Sequence, residues 1–385
     1  MIPYGRQDIS QSDIDAVVEV LRSDWLTQGP LVPKFEKTVA THVGAEHAVA
    51  VNSATSALHL ACLALGLGPG DWLWTSPNTF VASANCALYC GAKADFVDID
   101  PRTYNMSVER LSEKLKSAAH EGLLPKIVVP VHFAGQPCDM PAIFKLSQQY
   151  GFKIIEDASH AIGASYNETR VGSCAHSDIT VFSFHPVKII TTGEGGMALT
   201  NESGLAEKMG RLRTHGITRD ASRMINSPKG PWYYEQVELG YNYRMTDLQA
   251  SLGISQMQRL EAFLQTRGEL ANRYDALLKS MPACTPYVSQ GNSSSWHLYS
   301  IRLELKEISR SYREVFETLR TNEIGVNLHY EPVHLQPYYQ QLGFRAGQFP
   351  EAEAYAKEAI SLPLFPGLSY SQQDKVIAGL RLALK

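Results

Sequence analysis

The sequence predicts an α/β fold, with a large, mostly parallel sheet covered by helices on both faces and a smaller α+β part at its C-terminal end. Three observations lead there. Short runs rich in Val, Ile and Phe alternate with amphipathic stretches up to about residue 200. Most of the runs are apolar along their whole length, as strands covered on both faces are. After about Gly240 the alternation stops and long helical stretches take over.

The elements follow in order. Residues 11–22, "QSDIDAVVEVLR", carry apolar positions at Ile14, Val17, Val18 and Leu21, which is helical spacing. "WLTQGP" breaks it at Gly29-Pro30. "HAVAVN" then reads as a strand and "SATSALHLACLAL" as a helix; "DWLWTS" as a strand and "TFVASANCALYCG" as a helix. "KADFVDID", "KIVVPVHF" and "FKIIEDAS" are further strands, separated by the helices "SVERLSEKLKSAA" and "MPAIFKLSQQYG". "DITVFSF" and "GGMALTN" are two more strands. A long helical stretch, "TDLQASLGISQMQRLEAFLQTRGELANRYDALLKSM", precedes a mixed segment containing "WHLYSIRLEL" and "GVNLHYEP". We place a domain boundary near residue 250, giving a large domain over 1–250 and a small one over 251–385.

Composition narrows the function. The 385 residues are 44% hydrophobic and 19% charged, with a net charge of −4, and no basic run offers a footprint for a nucleic-acid backbone. The opening "MIPYGRQDISQSD" lacks the apolar core of a signal peptide, and no apolar run reaches bilayer length. The six cysteines form no C-x-x-C pair, as expected of free thiols in a reducing compartment. The expected location is the cytoplasm, with no nucleic-acid or membrane partner.

In open parallel sheets, ligands bind outside the carboxyl ends of the strands. Three such ends carry chemistry. In "VNSATSALHL" a helix begins at Ala54 amid hydroxyls, which suits a phosphate and equally suits ordinary capping. In "IIEDASHAIG" Asp157 ends a strand, with His160 three residues on. An acid there fixes a cationic nitrogen, or caps a helix. In "FSFHPVKIITTGEGG" Lys188 stands among aromatic and β-branched residues, just before Gly193, Gly195 and Gly196. Low-dielectric surroundings disfavour its ammonium form and leave a nucleophilic amine. Read alone, it is also an ordinary lysine beside a turn. Taken together, a phosphate cradle, an acid and a reactive lysine are what pyridoxal phosphate requires. We find no metal-ligand spacing, Ser-His-Asp triad or G-x-G-x-x-G.

The ordered motifs "LTQGP…FE", "NSATSAL", "NTFVASAN", "EDASHAIG", "FSFHPVKIITTGEGG", "RTHGI" and "GYNYRMTDLQASLG" span nearly the full length. In them the chain resembles the DegT/DnrJ/EryC1/StrS sugar aminotransferases. The resemblance implies the fold type I architecture of pyridoxal-phosphate enzymes and a homodimer with shared active sites. It implies that Lys188 holds the cofactor covalently and shuttles protons, and that Asp157 pairs with the pyridine nitrogen. His160 would lie near the 3-hydroxyl, Ala54, Thr55 and Ser183 at the phosphate, and Phe80 on the ring face. Asn242 would reach the phosphate of the neighbouring subunit. Thr27 and Gln28 would line the sugar site, with His185 beside them. Many relatives have glycine where this chain has Ala54, so a left-handed backbone there would strain it.

A finer resemblance, in "SFHPVKIITT", "EDASHAIG" and "NLHYEPVHLQPYYQQLG", is to the pseudaminic-acid branch of the family. It implies C4 amination of UDP-4-keto-6-deoxy-N-acetyl-β-L-altrosamine with L-glutamate, with His329 and Tyr330 near the sugar or the amino donor. Arg244 is a candidate for the glutamate carboxylate. Three alternatives stay open: an aminotransferase for another nucleotide-linked keto-sugar, a sugar dehydratase, in which histidine replaces the lysine, and a non-catalytic regulatory homologue.

Overall fold

A computed structural model describes residues 1–385. The main sheet has seven strands in the order β1-β9-β8-β5-β4-β2-β3. They are β1 (His47–Val51), β2 (Trp72–Thr75), β3 (Lys93–Phe96), β4 (Ile127–Val129), β5 (Lys153–Asp157), β8 (Ile179–Ser183) and β9 (Gly196–Thr200). A small hairpin, β6 (Ser165–Tyr166) and β7 (Thr169–Arg170), lies between β5 and β8. Helices α1 (Gln11–Leu21), α2 (Leu31–Val43), α3 (Ala54–Ala64), α4 (Ala82–Tyr89), α5 (Val108–Glu121), α6 (Met140–Tyr150) and α7 (Ser203–Leu212) complete this part. One apolar core joins α3 and α4 to one face of the sheet, and a second joins α2 to the other face.

The sheet is parallel through β3, β2, β4, β5 and β8, but β9 runs antiparallel to both β8 and β1. A parallel pair needs a crossover, usually a helix. The Phe184–Gly195 connection contains none, so the chain turns straight back. Lys188 rides on that turn.

β10 (Ile217–Thr218) and β11 (Glu235–Gln236) pair at the base of an arm whose Ile225, Trp232 and nearby Leu239 are exposed. The expected long helix after residue 246 is two helices, α8 (Asp247–Met257) and α9 (Leu260–Leu278). The break falls at Arg259, which turns its guanidinium back to Asp8 and Asp13. The proposed boundary at residue 250 falls inside α8. Beyond α9, strands β12 (Ala283–Cys284), β13 (Tyr299–Leu303) and β14 (Ala359–Leu362) form an antiparallel sheet with its own core. The N-terminal residues join this second unit: Ile2 exchanges backbone hydrogen bonds with Glu323 and Gly325, and Leu364 donates to Tyr4.

An amphipathic helix ordinarily turns its apolar stripe inward. α1 does so only in part: Val20 is buried and Val17 and Val18 are half-buried, with Asp13 buried on the same side, while Ile14 and Leu21 remain exposed. The Asp13 carboxylate accepts from Gln256 at 2.8 Å and from Arg259 at 2.6 Å, which ties this face of α1 to the junction of α8 and α9.

Candidate active site

The strand register builds the site. Gly196 lies opposite both Val51 and Ser183, and Val181 lies opposite Asp157. The end of β1, the start of β9 and the ends of β8 and β5 therefore meet at one edge of the sheet. A cleft of about 880 Å³ opens there, walled on the far side by the 327–330 segment of the C-terminal unit.

On the sheet side, α3 begins at Ala54 with Ser53 as its N-cap. Ser53 Oγ accepts from Ser56 N at 3.1 Å, and Ser56 Oγ donates to Asn52 Oδ1 at 2.7 Å. Those two hydroxyls are committed to capping, so Thr55 keeps its own. The first helical amides, at Ala54 and Thr55, have no partner inside the helix, and both residues line the cleft, an arrangement that suits an anion. Alanine is unstrained at position 54, because it is absent from the residues with left-handed backbone. The glycine requirement falls on Gly196 instead. A Cβ there would lie 2.4 Å from Ala54 N. Gly193, at φ 81°, makes the turn that precedes it.

"ED" at 156–157 offers two acids, and strand alternation sends them to opposite faces. Glu156 is buried away from the cleft, accepting from Thr180 and pairing with His132 at 2.7 Å. Asp157 faces the cleft. Its Oδ1 accepts from Ser159 N at 3.1 Å and its Oδ2 from Ser83 Oγ at 2.6 Å. Burial pushes the Lys188 amine down to about 8, against the upward pull of Asp157. At pH 7 roughly a tenth of this amine is unprotonated, far more than of an ordinary lysine, and the unprotonated form is the nucleophile.

The opposite wall carries no charge. Burial and then the charge of Lys188 push His329 down to about 3, and His160 and His297 are also held well below the usual histidine range by burial. Ala134 N donates to His160 Nδ1 at 3.2 Å, so Nε2 carries the ring proton and donates to the Tyr330 hydroxyl at 3.1 Å. The phenol proton is then free to donate into the cleft. His329 Nδ1 lies 2.8 Å from Ser361 Oγ, which in turn lies 2.8 Å from Ser300 Oγ. Tyr330 N donates to Asn78 Oδ1 and Tyr355 donates to the His329 carbonyl, which ties this wall to both units.

The cleft thus brings together Ala54, Thr55, Phe80, Asp157, His160, Ser183, His185, Lys188, His329 and Tyr330. Phe80 is 58% exposed at its mouth. Thr27, Gln28 and Asn242 are exposed and do not line it, and Arg244 pairs through its backbone with Val51. Sequence reasoning missed Tyr4, Ser159, Gln249 and His297, which also line the cleft. Only Ser159, two residues after Asp157, had a signal to find it by. The other three reach the cleft by long-range packing.

The family profile of the DegT/DnrJ/EryC1/StrS aminotransferases matches residues 7–381. The chain belongs to that family. It is 41% identical over 387 aligned positions to the spore coat polysaccharide biosynthesis protein SpsC of Bacillus subtilis, covering 100% of this chain and 97% of SpsC. It is 39% identical to the UDP-4-amino-4,6-dideoxy-N-acetyl-beta-L-altrosamine transaminase of Campylobacter jejuni, over 94% of this chain and 92% of that protein. Among solved structures, Helicobacter pylori PseC, an aminotransferase of pseudaminic acid biosynthesis, superposes with a TM-score of 0.90 at 31% identity, covering 100% and 99% of the two chains. The protein is a pyridoxal-phosphate-dependent nucleotide-sugar aminotransferase with the fold type I architecture of this family. The cleft fits the cofactor: free helix amides for a dianion, room beside Gly196, a buried carboxylate and an amine of lowered basicity. No helix is long and apolar enough to cross a membrane.

Proposed function

We propose that the enzyme transfers the amino group of L-glutamate to C4 of a UDP-4-keto-6-deoxy-N-acetylhexosamine, namely UDP-4-keto-6-deoxy-N-acetyl-β-L-altrosamine. The observation that carries the chemistry is the convergence of Asp157, Lys188 and the α3 amides on one edge of the sheet. Support for the sugar comes from the 39% identity to the altrosamine transaminase and the likeness to PseC.

When bound, pyridoxal phosphate supplies an electron sink that allows the C–H bond beside the transferred amine to break. The residues do the rest. The Ala54 and Thr55 amides, with Ser183, would hold the phosphate. Asp157 keeps the ring nitrogen protonated through a charge-assisted bond. Phe80 would pack on the ring face, and His160 would lie near the 3-hydroxyl. Lys188 would hold the cofactor covalently between turnovers. Its free amine then takes the proton from the donor Cα and returns it on the other side of the transfer, as general base and acid. His185, His329 and Tyr330 contact the sugar or the donor.

The site is completed by a second copy. Lys188 is the only lysine lining the cleft, which has no arginine, although its substrates carry phosphates and carboxylates. The exposed stripe of Ile14, Leu21, Trp25 and Leu26, with Ile225, Trp232 and Leu239 near the β10–β11 arm, is apolar surface that a homodimer would cover. Asn242, Thr27 and Gln28 would then serve the neighbouring subunit's cleft.

The test is incubation with a panel of UDP- and dTDP-linked 4-keto-6-deoxy sugars plus L-glutamate, with products identified by NMR. Efficient amination of a different sugar, with the altrosamine ketone left untouched, would overturn the assignment.

A further inference from the structure

We infer that Ser83 is a positioning residue for the Asp157 carboxylate, and that Thr79 and Ser83 form a hydroxyl relay which sets how that carboxylate meets the cofactor ring. The inference rests on the reading of Asp157 as the partner of the ring nitrogen.

Ser83 is fully buried in the first turn of α4 and does not line the cleft. It touches Asp157 from behind. A serine in a first helical turn ordinarily folds its hydroxyl onto a nearby carbonyl. That option exists here, at Phe80 O, but at 3.3 Å. The contact with Asp157 Oδ2 is 2.6 Å, the length of a hydroxyl donating to a charged oxygen. A hydroxyl has one proton, and the shorter, charge-assisted bond takes it. The Thr79 hydroxyl lies 2.8 Å from Ser83 Oγ and donates to it, so the relay runs Thr79 to Ser83 to Asp157. Thr79 itself lines the cleft.

The terminal torsion of aspartate is soft. Ser159 N on Oδ1 and Ser83 on Oδ2 fix the carboxylate plane from two sides, and each oxygen keeps lone-pair capacity for the cleft. The same segment carries Phe80. One short stretch of chain, from Thr79 to Ser83, therefore places both the ring-facing aromatic and the donor that aims the acid at the ring edge.

The experiment compares wild type, Ser83→Ala, Asp157→Asn and the double variant. It reads the dissociation constant of pyridoxal phosphate from the apoenzyme and the single-turnover rate with L-glutamate. Ser83→Ala should slow the single turnover by about tenfold and weaken cofactor binding by a few-fold, as expected for loss of a bond to a charged group. In the Asp157→Asn background, removing Ser83 should change either quantity by less than about twofold, because there is no longer a charge to aim. Ser83→Thr keeps the hydroxyl and should restore both values. Equal losses in the two backgrounds would mean that Ser83 serves only packing, and an unchanged Ser83→Ala single variant would also overturn the inference. A wild-type rate in Asp157→Asn alone would instead remove the reading of Asp157 on which it rests. If Ser83→Ala does not fold, Ser83→Cys, a weaker donor of similar size, carries the same comparison.

Discussion

The two walls of the cleft are built on different principles. The sheet wall presents charge, with Asp157 and Lys188 facing the free amides of α3, all fixed by strand register at one edge. The C-terminal wall presents neutral groups, His329, Tyr330 and Asn327, on a segment that forms no strand beyond a single bridge between Asn327 and Ser361. Its histidines are kept uncharged by burial. On the function proposed above, bond-breaking falls to one wall and recognition to the other, and the following outcomes test that division.

The largest effect belongs to Lys188. Lys188→Ala should lower turnover by at least roughly 10²–10⁴-fold and abolish the covalent link to the cofactor. Borohydride trapping and peptide mapping should find the cofactor on Lys188 in the wild type, and a label on another lysine would break the comparison at its centre. Asp157→Asn should come next, with a half-reaction slower by about a hundredfold or more and the shape of the site preserved. Stopped-flow absorbance with L-glutamate measures this.

Mixing tests whether a second copy completes the sheet wall. Lys188→Ala and Asn242→Ala subunits, exchanged into heterodimers, should regain one site with both native residues. Activity should then exceed the weighted sum of the parents. Exchange seen by mass spectrometry without recovery would return Asn242 to a structural role.

On the neutral wall the effects should be smaller. Tyr330→Phe leaves the buried His160 N–H without its partner, at a cost of about 1–3 kcal/mol. The loss should appear mainly in KM for the sugar, and a fall confined to kcat would move Tyr330 to the chemical wall.

The two walls should also titrate differently. Lys188 gains nucleophilicity as pH rises through about 8, well below the usual lysine range, so covalent cofactor capture by the apoenzyme should have its midpoint there. The buried histidines act in the acid range. The unfolded chain binds a proton at His329 below about pH 6.5, whereas the folded chain refuses it until about 3. Stability should therefore fall as pH drops from about 6.5 towards 3. Melting of the apoenzyme between pH 7 and 5 measures the slope, which His329→Asn should flatten.

The same contrast explains what the sequence disclosed. Strand ends with chemistry are local: an apolar run, then an acid, a lysine or a helix start. Asp157, Lys188 and Ala54 were legible for that reason, as was the parallel part of the sheet. The reversal at β9 was not read, although the lack of a crossover helix between Phe184 and Gly195 contained it. The neutral wall depends on contacts between residues far apart, such as Tyr330 with Asn78 and Tyr4 with Leu364, and no local pattern announces them. The burial of Asp13 on α1 was hidden for a similar reason, since its partner Arg259 is distant in sequence.

The edge position of β1 has a consequence for how the enzyme is made. β1 and the α3 cradle leave the ribosome early, but the only sheet neighbour of β1 is β9. Synthesis is vectorial, and a long-range pairing waits for its second member. Until Gly196–Thr200 has emerged, β1 has nothing to pair with and the cradle has no fixed place beside Asp157 and Lys188. The sheet wall of the cleft thus comes together late, as β9 closes the gap between a strand made long before and one just completed. Nascent chains arrested before β9 should not retain pyridoxal phosphate, and chains arrested well beyond it mark the earliest point at which the cofactor can take part in folding.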